Sequence, residues 1–150
     1  MRVLWTRSSA TTSTGYRPDM VVDTSALAAI VLGESDAERY LDALTLSEQV
    51  IRVAAVTAVE VAIVVEARQG PEAGRDLRLL LDQLGAQVMP CDEVQVTAAI
   101  AAWRRFGKGR HPAQLNLGDC FSYALAQAMA EPLLFKGNDF SQTDVRAAVG

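Results

Sequence analysis

The hydrophobic and polar positions of this chain fall into short blocks whose period changes repeatedly. Met20-Val21-Val22 is an apolar run too short for a helix, with two β-branched residues, and reads as a buried strand. Asp23, Thr24 and Ser25 follow with N-cap chemistry, which predicts a helix over 26–32 that Gly33 ends. Glu34, Ser35 and Asp36 open a second helix to about residue 47, and residues 50–54 return to strand character. A strongly apolar helix is expected over 57–69, stopped by Gly70 and Pro71. Residues 72–84 form an amphipathic helix with Leu77, Leu80, Leu81 and Leu84 on one stripe. A third strand is expected over 87–89, then a helix capped by Asp92 and running to about Phe106. A loop rich in Gly, Pro and basic residues spans 107–115, followed by a helix over 116–130, a fourth strand over 132–135 and a turn over 137–141. Short apolar strands separated by helices imply an α/β sandwich around a mainly parallel sheet. In such sheets ligands bind at the carboxyl ends of the strands.

Composition narrows the class. The 150 residues, half of them hydrophobic, suit one globular domain and exclude a disordered chain. Two cysteines, Cys91 and Cys120, form no CxxC pair and are too few for a secreted disulfide scaffold, so a reduced, cytoplasmic setting is expected. A single His excludes the HExxH zinc site. The apolar stretch over 53–65 is interrupted by Glu60, so no membrane span is expected. Residues 1–19 hold Arg2, Arg7 and Arg17 among many Ser and Thr but no apolar h-region. They read as a poorly ordered leader, or as an upstream start assigned to a domain that occupies 20–150. A net charge of −4 speaks against binding nucleic acid through bulk positive charge.

Four carboxylates change that picture. Asp23 directly follows the first strand and Asp139 comes shortly after the fourth. If those strands are neighbours, both side chains reach one crevice. Glu60 and Asp119 are placed in the first turns of their helices. Clustered carboxylates repel and are costly to bury without a cation. Hard divalent ions, Mg²⁺ or Mn²⁺, take oxygen ligands of this kind and complete their shell with water and phosphate. Such a set suits metal-assisted phosphodiester hydrolysis. Each residue also has a purely structural reading: Thr57 to Glu60 as a capping box, Asp119 as an acid at the third helical position where the macrodipole favours it, Asp23 as an N-cap, Asp139 as a turn residue.

The same residues carry a resemblance. Met20-Val21-Val22-Asp23-Thr24-Ser25-Ala26-Leu27 resembles the opening strand of PIN-domain ribonucleases. The run Leu115-Asn116-Leu117-Gly118-Asp119-Cys120-Phe121-Ser122-Tyr123-Ala124 is similar to that family's third acidic motif, and Pro132-Leu133-Leu134-Phe135-Lys136-Gly137-Asn138-Asp139-Phe140 to its fourth. Glu60 stands where the family places its second acid. With the short length, the chain resembles most the VapC toxins of type II toxin–antitoxin modules, which are Mg²⁺-dependent endoribonucleases. The resemblance implies a PIN-like three-layer α/β/α sandwich. It also implies Asp23 and Asp119 as metal ligands, with Glu60 and Asp139 completing the catalytic acids. The family more often has Thr or Ser where this chain has Gly137, which leaves Asn138 and Asp144 as alternatives for the fourth acid. Thr24 and Ser25 either cap the helix or orient an acid or a metal-bound water. The implied partners are an RNA substrate, a cognate VapB-type antitoxin and a second copy of the chain.

Arg104, Arg105, Lys108 and Arg110 crowd just upstream of Asp119, with Trp103 and Phe106 beside them. They are candidate RNA-phosphate contacts, the alternative being a solvated helix end. A catalytically inactive PIN-fold binding module would be expected to lack some of the acids, and all four positions are filled. A haloacid-dehalogenase-like phosphatase requires an acid two residues after Asp23, where Ser25 stands. A receiver domain would account for Lys136 but requires a pair of acids after the first strand and an acceptor Asp after the third, which Cys91-Asp92-Glu93 fits poorly.

Overall fold

A computed structural model describes residues 18–46 and 48–150. The expected leader, apart from its last two residues, and the end of the expected second helix at Ser47 lie outside the described residues. The order of elements is β1 (Met20–Val22), α1 (Thr24–Val31), α2 (Ala37–Thr45), β2 (Ile51–Ala54), α3 (Ala55–Gln69), α4 (Pro71–Leu84), β3 (Gln87–Met89), α5 (Glu93–Phe106), α6 (Leu117–Met129) and β4 (Leu133–Leu134). A short 3₁₀ turn, Phe140–Gln142, occupies the end of the expected turn region.

The four strands form one parallel sheet in the order β3-β2-β1-β4. Period-two alternation divides the strand residues between two cores. Met20, Val22, Ile51, Val53 and Leu134 face α1 to α4, whereas Val21, Ala54 and Leu133 face α5 and α6. The result is the expected three-layer α/β/α sandwich. The chain leaves β1 for β2 on one side and reaches β4 on the other, so the sheet has a topological switch point between β1 and β4. A crevice opens there at the strands' carboxyl ends.

One boundary differs in a way that bears on the site. α3 starts at Ala55, directly after β2, and its N-cap Ala54 makes no side-chain cap bond. Thr57 is therefore inside the first turn and Glu60 lies in the second, so these two residues do not form a capping box. Thr57 is fully buried and its hydroxyl is 2.9 Å from that of Ser122 in α6. A tertiary contact has taken the group that a local reading assigns to the helix end.

Candidate active site

Asp23 is the last residue held by the ladder of β1: its N–H donates to the carbonyl of Leu134 at 2.9 Å. Its side chain thus leaves the sheet at the β1–β4 seam, where it is only 2% exposed. A carboxylate so buried requires donors. Ser25 supplies two to Oδ2, its N–H at 3.0 Å and its hydroxyl at 2.7 Å, and Ser122 donates to Oδ1 at 2.6 Å. Because the Ser122 proton goes to Asp23, Thr57 is the donor in the Thr57–Ser122 pair. Ser25 Oγ in turn accepts the main-chain N–H of Lys136 at 2.9 Å. Asp23 is both N-cap of α1 and the centre of this buried relay.

Asp119 shows the same double use. Its Oδ2 accepts the N–H of Asn116 at 3.0 Å, and its own N–H donates to Asn116 Oδ1 at 2.9 Å, a complete capping box. The local reading and the functional one are therefore compatible: one carboxylate caps α6 and lines the crevice. Ser122 lies three residues on, on the same helix face. Glu60 reaches across from α3, where Thr24 Oγ1 donates to its Oε1 at 2.5 Å. Asp139 is exposed at the mouth. Asp23, Glu60, Asp119 and Asp139 all line one open cleft of about 260 Å³. Asp119 senses the others. Burial above all, then the charges of Asp23, Asp139 and Glu60, push its carboxyl up to about 7, against the lowering effect of its bond from Asn116.

The donor chemistry fits a hard divalent ion, with oxygen ligands throughout and a like-charge repulsion that a cation would relieve. Among the described residues, no three such side chains are close enough to hold an ion unaided. An ion here would draw on water and substrate oxygens, as Mg²⁺ commonly does. Asp23 and Asp119 are the two deepest carboxylates of the cleft, Asp23 held at both oxygens and Asp119 at Oδ2.

Other candidates lie elsewhere. Asp144 is no member of the cleft: it accepts from the Tyr123 hydroxyl at 2.5 Å, from Gln127 at 3.2 Å and from Arg105 at 3.2 Å, pinning the tail to α5 and α6. Asn138 is exposed beside Asp139 and does not line the cleft either. Of the four cations, Arg104 is exposed, Arg105 is engaged by Asp144, and Arg110 lies over the Trp103 ring at 4.4 Å. Lys108 lines a separate apolar groove between α5 and α6, which meets the acidic cleft at Asn116. The structure thus sets the basic segment beside the carboxylates, not among them.

Sequence reading missed Ser122, Thr57 and Gly118. A small polar residue three positions after Asp119, inside an apolar helical run, was the available sign for Ser122. Gly118 is legible only in three dimensions: a Cβ there would fall on the Glu60 carboxylate. Gly118→Ala removes a glycine from the first turn of α6, which by itself favours the helix by at most about 1 kcal/mol, yet it displaces Glu60. Any activity that needs the Glu60 carboxylate in place is expected to fall about 10–100-fold, with the melting temperature unchanged or raised. Initial rates and thermal unfolding of the purified variant check both.

Residues 20–146 match the family model of the PIN domain. The chain belongs to the PIN domain family. It is 48% identical over 128 residues to "Ribonuclease VapC" of Mycolicibacterium smegmatis, covering 85% of this chain and 98% of that protein. Among solved structures, this PIN domain superposes on VapC20 of Mycobacterium tuberculosis, described as a sarcin-ricin loop cleaving toxin. The TM-score is 0.70 at 17% identity, over 85% of this chain and 96% of the other. It also superposes on a toxin–antitoxin complex from Klebsiella pneumoniae, with a TM-score of 0.64 at 16% identity over 88% and 96% of the two chains. At such identities the structural matches speak for the fold, and the first relative for the kind of PIN domain.

Proposed function

We propose that this PIN domain is a divalent-metal-dependent endoribonuclease, the toxin of a VapBC-type module, neutralised by a cognate antitoxin. The observation that carries the reading is the meeting of Asp23, Glu60, Asp119 and Asp139, from four separate segments, in one cleft at the sheet's switch point. The high identity to a VapC ribonuclease supports the choice of RNA, and the likeness in fold to a chain of a toxin–antitoxin complex supports the protein partner.

In this reading Asp23 and Asp119 hold the ion, Mg²⁺ or Mn²⁺, and Glu60 and Asp139 complete the acidic wall. A bound divalent ion supplies an activated water and charge stabilisation at the scissile phosphate. The chain's own part is orientation. Ser25 and Ser122 fix both oxygens of Asp23, the Asn116 box fixes Asp119, and Thr24 with the open space at Gly118 fixes Glu60. Arg104, Lys108 and Arg110 flank the cleft as contacts for the RNA backbone, with Arg105 shared with Asp144.

Cleavage of total RNA by the purified chain is expected to stop with EDTA and return with excess Mg²⁺ or Mn²⁺. It should also weaken as salt rises, since phosphate contacts release counterions. Cleavage indifferent to EDTA overturns the reading. A homodimer accompanies this proposal. Its support is the apolar groove where Trp103 of α5 and Leu117 of α6 stand exposed, Leu117 by 74%. Light scattering on the full chain reads that mass.

A further inference from the structure

Among the described residues lining the acidic cleft, Lys136 is the only cation. Electrostatics gives such a lysine a default position. Its flexible stem carries a point charge that pairs with carboxylates in reach, and Asp23, Glu60, Asp119 and Asp139 share its cleft. An ammonium among them would relieve their repulsion. It would also stand where a divalent ion has to stand.

The ammonium is held by other partners. Lys136 Nζ is paired with Glu34 and, at 3.0 Å, with Asp36. Neither acid lines the cleft. Both belong to the segment joining α1 to α2, and each is committed to this arrangement. Glu34 is also 3.7 Å from Arg68 of α3. Asp36 occupies the N-cap position of α2, where a carboxylate ordinarily accepts from the first N–H groups of the helix. Asp36 makes no such bond. Its carboxylate takes Lys136 instead, with the Tyr40 hydroxyl at 3.4 Å. A local default has been given up for a contact 100 residues away in sequence. Meanwhile the main chain of Lys136 stays in the cleft wall, its N–H donating to the Ser25 hydroxyl that holds Asp23. A pair with this much exposure contributes little to stability, so stability alone is a weak reason for two acids to be placed on one lysine.

We propose that Glu34 and Asp36 are positioning residues that hold the Lys136 ammonium off the cleft carboxylates and so keep the cation position open for a divalent ion. The inference rests on the reading of the cleft as a divalent-ion site.

The test is a binding cycle on the full chain. EDTA-stripped protein is titrated with Mn²⁺ near neutral pH, and free Mn²⁺ is read by electron paramagnetic resonance. The double variant Glu34→Gln/Asp36→Asn is expected to bind at least about tenfold more weakly, the scale typical of residues that support a metal site indirectly. Adding Lys136→Met to that variant should bring affinity back to within about threefold of wild type, while Lys136→Met alone shifts it by less than about threefold, as expected for an exposed pair. This cycle separates the tether from the simple loss of two negative charges. If only the long-range field matters, Lys136→Met tightens binding by the same factor in both backgrounds, and that result overturns the proposal. Equal binding by the double variant and the wild type overturns it too. Wild-type protein that binds no Mn²⁺ overturns the divalent-site reading itself, so the two failures are distinguishable. Circular dichroism checks folding. If the double change loosens α2, the single variants, each leaving one partner on Lys136, give the same comparison at smaller amplitude.

Discussion

Asp119→Asn is expected to abolish RNA cleavage while making the metal-free protein more stable. The two effects come from one charge. Asn retains an oxygen to accept the Asn116 N–H, and its own main-chain N–H still reaches Asn116 Oδ1, so the capping box of α6 survives. What disappears is a carboxylate that burial and three like charges hold at about 7. As an ion ligand its loss should exceed the roughly 10–100-fold cost typical of residues that only support a ligand. As a buried charge its loss removes a penalty. The melting temperature in EDTA near neutral pH should therefore rise by several degrees, at about 3 °C per kcal/mol for a chain of this size. A variant that folds as wild type and still cleaves RNA refutes the assignment of Asp119. A variant that loses both activity and stability assigns it a structural role only.

The second large effect is a pH dependence that a divalent ion should reverse. The folded-state value for Asp119 lies near 7, against an ordinary value of 3.8. Between those limits the folded chain keeps a proton that the unfolded chain has released. This contribution to stability is therefore greatest below about 4, declines as pH rises, and levels off above about 7. The gap between the two values corresponds to roughly 4 kcal/mol. The difference between wild type and Asp119→Asn, measured by chemical denaturation in EDTA across this window, isolates the contribution of Asp119. Mg²⁺ or Mn²⁺ in excess should stabilise the wild type most at the upper end of the window, where Asp119 is ionised and able to bind. A wild-type-minus-variant difference that is flat with pH removes the electrostatic account of the cleft.

Much of this protein was legible without coordinates, for reasons particular to its elements. β1, β2 and β3 are short apolar runs bounded by cap or turn residues, and the structure places them within about a residue of the expected limits. Asp119 stands in the first turn of α6, as its place in the sequence implies, and the structure adds the capping box with Asn116. Asp23 caps the helix that follows it. The reading was less accurate at α3, because Thr57 has the right chemistry and spacing for a cap while its hydroxyl is claimed by Ser122, 65 residues away. It was incomplete at Asp144, an acid close enough in sequence to Asp139 to compete for its role. Tyr123, Gln127 and Arg105 hold it elsewhere.

By itself, then, the sequence determined the strands, the helix starts other than that of α3, and the order of the acids, since periodicity and capping are properties of a few adjacent residues. Tertiary structure alone decided which of those residues act together. The β1–β4 pairing brings Asp23 and Asp139 to one crevice. Thr24 meets Glu60 across 36 residues, and Ser122 meets Asp23 across 99. Lys136 is drawn to Glu34 and Asp36 instead of the acids of its own cleft. Hydrogen bonds and ion pairs act over a few ångströms whatever the separation along the chain, so no local pattern encodes them, and the same carboxylate that a helix end requires becomes a ligand candidate only once the sheet has closed beside it.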